Sequence, residues 1–186
     1  MTEEAVPPMA AVHVEGRGGT DLLLRAVARD LAARGFCITG VVQSNPERAA
    51  RTRCDMDLTV LPDGPTLRIS QDRGDGARGC RLDVGALETA VAGVEAILEK
   101  GGLDLLLINK FGKREAEGHG FAATIGTALS VGVPVLVGVN QLNRPEFEAF
   151  ADGLATMLPP HHDAVLAWCL AATGTTTGDE RPVFAV

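Results

Sequence analysis

Short apolar runs alternate along this chain with longer segments whose apolar positions recur at helical spacing. Residues 9–14 (MAAVHV), 36–43 (FCITGVVQ), 103–109 (LDLLLIN) and 133–139 (VPVLVGV) are runs of the first kind. Runs this short and this apolar predict strands buried on both faces. Between the first two lies GRGGTD (16–21), followed by LLLRAVARDLAARG. In that segment Leu22, Leu23, Ala26, Val27 and Leu31 follow a helical period, and Gly35 ends the helix as a C-cap glycine would. Strand, glycine loop, helix and strand form a βαβ start, which predicts a parallel sheet.

Residues 44–83 depart from this rhythm. They are polar and glycine-rich except for LTVLPDGPTLRIS, whose Pro62-Asp63-Gly64-Pro65 centre predicts a hairpin. The expectation is an insertion packed over one end of the sheet. Residues 84–100 predict an amphipathic helix that stops at Gly101-Gly102, and 121–131 predict a helix of small residues. Asn143, as N-cap with Pro145 in the first turn, predicts a helix reaching Met157. A last helix, 163–172, carries the single tryptophan, Trp168. Residues 173–186 read as a mobile tail in which PVFAV could add an edge strand. The fold class expected is a three-layer α/β domain over 1–186, a mostly parallel sheet flanked by helices with a small hairpin insertion at about 44–83.

Composition narrows the function classes. A length of 186 residues fits one domain with a sizeable core. The net charge of −7 argues against nucleic acid or an anionic membrane surface as partner. No apolar stretch approaches the ~18 residues of a membrane span, so no membrane insertion is expected. The acidic, proline-bearing start MTEEAVPPMA is unlike a secretory signal, and the cysteines show no CxxC spacing, so a cytoplasmic setting is expected. A small anionic ligand remains open, provided that backbone N–H groups and a few placed cations hold it. Helices rich in glycine and alanine suit a homodimer interface and suit close helix–sheet packing equally.

Two stretches carry candidate chemistry. At 103–118 an apolar run breaks into a charge cluster that holds Lys110 and Lys113, two of the three lysines, with Glu115 and Glu117. In open α/β sheets the loop leaving a strand's carboxyl end is where ligands bind. Glu115 is expected to hold Lys110 or Lys113, or a metal, and His119 to donate to an anion. The second stretch is the glycine loop, where Gly16, Gly18 and Gly19 can converge backbone N–H groups on an anion at a helix start, with Arg17 and Thr20 beside them. The full GxxxxGK[ST] pattern is absent, because Gly19-Thr20-Asp21 stands where Gly-Lys-Thr would be. Asp21 there is expected to cap the helix and repel phosphate.

Lesser candidates complete the picture. Asn140, beyond the strand at 133–139, could read a base or an oxyanion, while Asn143 caps the next helix. Cys54 and Cys80 flank the hairpin and could form a metal or redox pair, or pack as small buried residues. His161 and His162 point apart on a helix, His13 suits a core or edge position, and no serine has the setting of a triad nucleophile.

The order of these pieces resembles P-loop nucleoside triphosphatases, especially small THEP-type enzymes and MobB-like GTP-binding accessory proteins of molybdenum cofactor assembly. Several stretches resemble a bacterial family, domain of unknown function 2478, over almost the whole chain. They are Cys54-Asp55-Met56, Ser70-Gln71, Gly79-Cys80-Arg81-Leu82-Asp83, and Asn109-Lys110-Phe111-Gly112-Lys113 with Glu115 and Gly118. The resemblance implies a P-loop-like fold and a link to molybdate handling. In P-loop enzymes an acid at the end of the second conserved strand holds Mg²⁺, yet LDLLLIN ends in Asn109.

Three functions are therefore expected as alternatives. The first is a degenerate P-loop-like binding protein for a nucleotide phosphate or small oxyanion, with Mg²⁺ accompanying a nucleotide or with molybdate itself as ligand. The second is an active triphosphatase with unconventional residues. The third is an interaction module whose insertion docks a molybdate transporter or molybdoenzyme.

Overall fold

The computed structural model describes residues 6–46, 55–71 and 82–174. They form a seven-stranded sheet. The strands are β1 (Met9–Val12), β2 (Ile38–Ser44), β3 (Asp57–Leu61), β4 (Thr66–Arg68), β5 (Leu105–Phe111), β6 (Val135–Val139) and β7 (Ala155–Leu158). Their order is β4-β3-β2-β5-β6-β1-β7. Strands β2, β5, β6, β1 and β7 run parallel, and β3 and β4 are antiparallel.

The helices are α1 (Gly19–Ala33), α2 (Val84–Leu98), α3 (Lys113–Ala116), α4 (Ala122–Ser130), α5 (Arg144–Ala151) and α6 (His162–Ala172). Central strand β5 shows why both faces must be covered. Leu106 and Ile108 pack among residues of α2, α4 and α5, while Leu105 and Leu107 pack with α1 and α6 on the other face. All four are 0% exposed, and burying each contributes about 1.5–3 kcal/mol. The alternation is the two-residue period of a strand applied to an apolar run.

The mostly parallel three-layer α/β fold is as expected, with four local differences. First, α1 buries Leu24, Val27, Ala28 and Leu31, while Leu22 is 68% exposed. Three consecutive leucines permit either register, and the stripe at i, i+3, i+4, i+7 is the one that packs. Second, the hairpin continues the sheet beside β2, pairing Gly40 with Leu61 through Ser44 with Asp57, instead of lying over one end. This covers an edge of β2 that would otherwise present unpaired backbone groups.

Third, the helix opened by Pro145 ends at Ala151, not Met157. Asp152 (φ 44°) and Gly153 (φ 81°) take left-handed conformations that stop it, and the following residues pair with β1 as β7. Fourth, Asn143 does not cap α5 with its side chain; Asn140 Oδ1 accepts the Asn143 N–H at 2.8 Å instead. The expected tail strand falls at 182–186, outside the described residues.

At the hairpin's root, Asp55 pairs with Arg68 at 2.7 Å, and Ser70 Oγ accepts the Met56 N–H at 3.0 Å. Ser70 also bridges to Leu82, just before Asp83 caps α2 by accepting the Ala86 N–H. These residues of the resembled family thus tie the hairpin to α2. Trp168 is 7% exposed among the side chains of α1 and α6.

Candidate functional site

The strand order places a crevice at the carboxyl ends of β1 and β6. From β1 the chain crosses by α1 to β2 on one side, whereas from β6 it crosses by α5 to β7 on the other. Such a reversal separates the loops and leaves a ligand-sized gap. A cavity of about 960 Å³ lies there. Its walls come from four strand ends: His13 and Val14 with the glycine loop, Gln43 to Pro46, Asn109 and Lys110, and Gly138 to Asn140.

The glycine loop enters α1 without a side-chain cap. Gly16 (φ 90°) and Gly18 (φ 74°) take left-handed conformations, and Gly18 is the N-cap. Thr20 Oγ1 accepts the Val14 N–H at 2.9 Å, which closes the loop on itself. The expected cap by Asp21 is not formed. Its Oδ1 accepts a hydrogen bond from Asn109 Nδ2 at 2.7 Å and its Oδ2 one from Asn45 Nδ2. The first-turn N–H groups of this 15-residue helix therefore carry no side-chain cap, at an end where Gly18, Thr20 and Asp21 line the cavity.

A bulge positions the second wall. Ile108 pairs with Val137 but Phe111 with Val139, so three steps on β5 oppose two on β6. The extra residue turns the strand at Asn109 and Lys110. Asn109 is 1% exposed, and its Oδ1 accepts the Gln43 N–H at 2.9 Å. Lys110 is exposed on the cavity rim. Opposite the bulge stands Gly138, where a Cβ would run into the Asn109 carbonyl oxygen.

The candidate residues divide into two groups. Gly16, Arg17, Gly18, Thr20, Lys110 and Asn140 line the cavity, and Gly19 sits in the same loop with a Cβ position filled by Val14. Lys113, Glu115 and His119 do not line it. Lys113 is 85% exposed and pairs with Glu117 at 3.6 Å, and His119 is exposed. Glu115 holds neither lysine: its Oε2 accepts the Gly112 N–H at 3.0 Å and its Oε1 the Phe121 N–H at 3.2 Å. Burial pushes its carboxyl above the usual carboxylate range, against the pull of those N–H groups and of Arg114. The charge cluster thus splits at Phe111: Lys110 before it lines the cavity, and the residues of α3 after it do not.

Arg25, Gln43, Asn45 and His13 also line the cavity. Arg25 lies one turn into α1 beyond the loop, so helical spacing from Asp21 could have found it. The polar end of FCITGVVQSN is the sequence signal for Gln43 and Asn45. Among the described residues, the cavity is lined by the cations Arg17, Arg25 and Lys110 against one carboxylate, Asp21.

A P-loop fold implies Mg²⁺ between a hydroxyl at the helix start and an acid at the strand end. The described residues do not fit that ion. Asp21 already accepts at both oxygens, and Asn109 turns its N–H₂ toward Asp21 instead of an oxygen. Among the described residues, no group of three or more His, Cys, Asp or Glu could hold a metal. Cys54 and Cys80 lie outside the described residues. Cys169 is buried, with its thiol pushed up to about 12 by that burial. No helix among the described residues is long and apolar enough to cross a membrane.

Comparison with known proteins agrees with this architecture. A human cancer-related nucleoside triphosphatase superposes with a TM-score of 0.53 at 18% identity, covering 80% of this chain and 86% of that one. THEP1 from Aquifex aeolicus superposes with a TM-score of 0.55 at 14% identity, covering 85% and 94%. These likenesses show a P-loop triphosphatase-like fold. In sequence, the chain is 32% identical over 160 residues to the molybdenum import ATP-binding protein ModC 2 of Bradyrhizobium diazoefficiens. The match covers 86% of this chain and 18% of that protein's length. Residues 9–168 match the family described as protein of unknown function (DUF2478), and the chain belongs to that family.

Proposed function

We propose that the protein binds a phosphate-bearing ligand of nucleotide size, or a small oxyanion, at the carboxyl edge of its sheet, and does not hydrolyse it. The observation that carries this reading is one cavity uniting an uncapped helix start with Arg17, Arg25 and Lys110. Gly16, Gly18, Gly19 and Thr20 supply N–H and hydroxyl donors, and Asn140 an amide. Each hydrogen bond to a charged group contributes about 1.5–3 kcal/mol. A volume of about 960 Å³ suits a nucleotide better than a lone oxyanion.

Binding is favoured over hydrolysis by what stands at the two catalytic positions. The glycine loop has Thr20-Asp21 in place of Lys-Thr, and β5 has Asn109 in place of an acid. Phosphoryl transfer rests on those charges. The name of the Bradyrhizobium relative supports molybdate among the oxyanions, and with it an accessory or sensing role beside a cytoplasmic molybdate import apparatus.

Titration calorimetry with ATP, ADP, phosphate and molybdate tests the reading. Saturable binding that Arg17→Ala and Lys110→Ala weaken is expected. Absence of saturable binding to all four overturns it, and magnesium-dependent phosphate release overturns the non-hydrolytic part.

A further inference from the structure

We infer that this cavity takes no divalent cation, because the acid and its neutral partner have changed places across it and closed on each other. The usual arrangement sets a hydroxyl at the helix start and an acid at the strand end. Here the helix carries the acid, Asp21, and the strand carries the neutral group, Asn109.

The direction of every hydrogen bond in the pair is determined. The main-chain N–H of Gln43 can only donate, so the oxygen of the Asn109 amide faces it at 2.9 Å. The Nδ2 of Asn109 consequently points at Asp21 Oδ1, 2.7 Å away. Gln43 Nε2 donates to Asn45 Oδ1 at 2.8 Å, which turns Asn45 Nδ2 toward Asp21 Oδ2. The result is a relay from β2 through β5 to α1 in which the carboxylate is satisfied by amides. Mg²⁺ demands oxygens at about 2.0–2.1 Å in octahedral array. It would have to share the Asp21 oxygens with both amides and would still meet an N–H₂ group at Asn109, where the usual arrangement sets an oxygen.

Asparagine and aspartate have nearly the same shape, so the relay predicts its own reversal. In Asn109→Asp, an oxygen would replace Nδ2 at 2.7 Å from Asp21 Oδ1. Two carboxylates that close cannot both stay ionised without a cation or proton between them. Exchanging the pair (Asp21→Asn with Asn109→Asp) restores alternating donors and acceptors throughout. The carboxylate now on β5 would accept from the Gln43 N–H and from the amide now on α1, whose oxygen would accept from Asn45.

The test uses Mn²⁺ alone, followed by its electron paramagnetic resonance, with melting curves in EDTA. No anion is present, so the result is independent of the function proposed above. The wild-type protein is expected to leave the free Mn²⁺ signal unchanged. Asn109→Asp is expected to melt lower in EDTA, to take up one Mn²⁺ saturably and to regain its melting temperature on doing so. The exchanged pair is expected to melt near the wild type in EDTA. Saturable Mn²⁺ uptake by the wild type that Asp21→Asn abolishes overturns the inference. So does an Asn109→Asp protein that gains no site, or an exchanged pair no more stable than Asn109→Asp alone.

Discussion

Gly120 packs so closely on Oε1 of Glu115 that a Cβ there would overlap it, and the loop after β5 thus closes around a buried carboxylate with no room for a side chain. Gly120 also holds φ 56°, a left-handed conformation. Gly120→Ala must both strain the backbone and push Oε1 off the Phe121 N–H. The expected loss of stability is about 1–3 kcal/mol, read from urea denaturation.

Glu115 gives a pH signature. Its carboxyl is raised above the ordinary value of 4.5, chiefly by burial. As pH rises from 4.5 toward that raised value, the unfolded chain releases a proton that the folded protein keeps, so stability falls. Glu115→Gln removes this titration and replaces one acceptor by a donor facing a backbone N–H. The wild type is expected to be the more stable, with a gap widest below pH 4.5 and narrower at neutral pH. Denaturation across that range checks it, and a gap that widens with pH contradicts it.

The division of the lysines predicts a contrast in anion binding. Lys110→Ala is expected to weaken binding about tenfold or more, as loss of a charge-assisted hydrogen bond would. Arg17→Ala should behave alike, since both side chains line the cavity. Lys113→Ala should leave affinity unchanged, because Lys113 is turned to Glu117. Calorimetry with ATP and molybdate reads all three, and equal losses at 110 and 113 would contradict the geometry.

Gly138 couples the bulge to the site. Because a Cβ there meets the Asn109 backbone as well as Leu24 Cδ1, Gly138→Ala must move β5 or β6. Overpacking of this kind costs about 1–3 kcal/mol. The movement falls on Asn109 and Lys110, so melting temperature and anion affinity should drop together. A destabilised protein with unaltered affinity would show that the bulge does not position the site.

These contrasts mark what is legible in the sequence. The buried strands and the glycine loop are readable because a two-faced strand needs a continuous apolar run and a left-handed turn needs glycine. β7 is not, since ATML carries no alternation and merges with the helical period before it; the Asp152-Gly153 stop is its mark. The fate of Glu115 is hidden too. A carboxylate beside two lysines reads as their partner, and only the three-dimensional turn at α3 gives it to backbone N–H groups. Asn109 is legible as a missing acid, but its bond to Asp21 spans 88 residues and has no local signature.

The packing of Trp168 has a practical consequence. The chain has one tryptophan and no tyrosine, so its near-ultraviolet fluorescence comes from a single indole. That indole is buried in the core cluster that also holds the apolar stripe of α1, the helix whose first turn opens onto the cavity. A ligand that draws α1 toward itself is therefore expected to shift the emission of this internal lamp, and binding can be followed without any label.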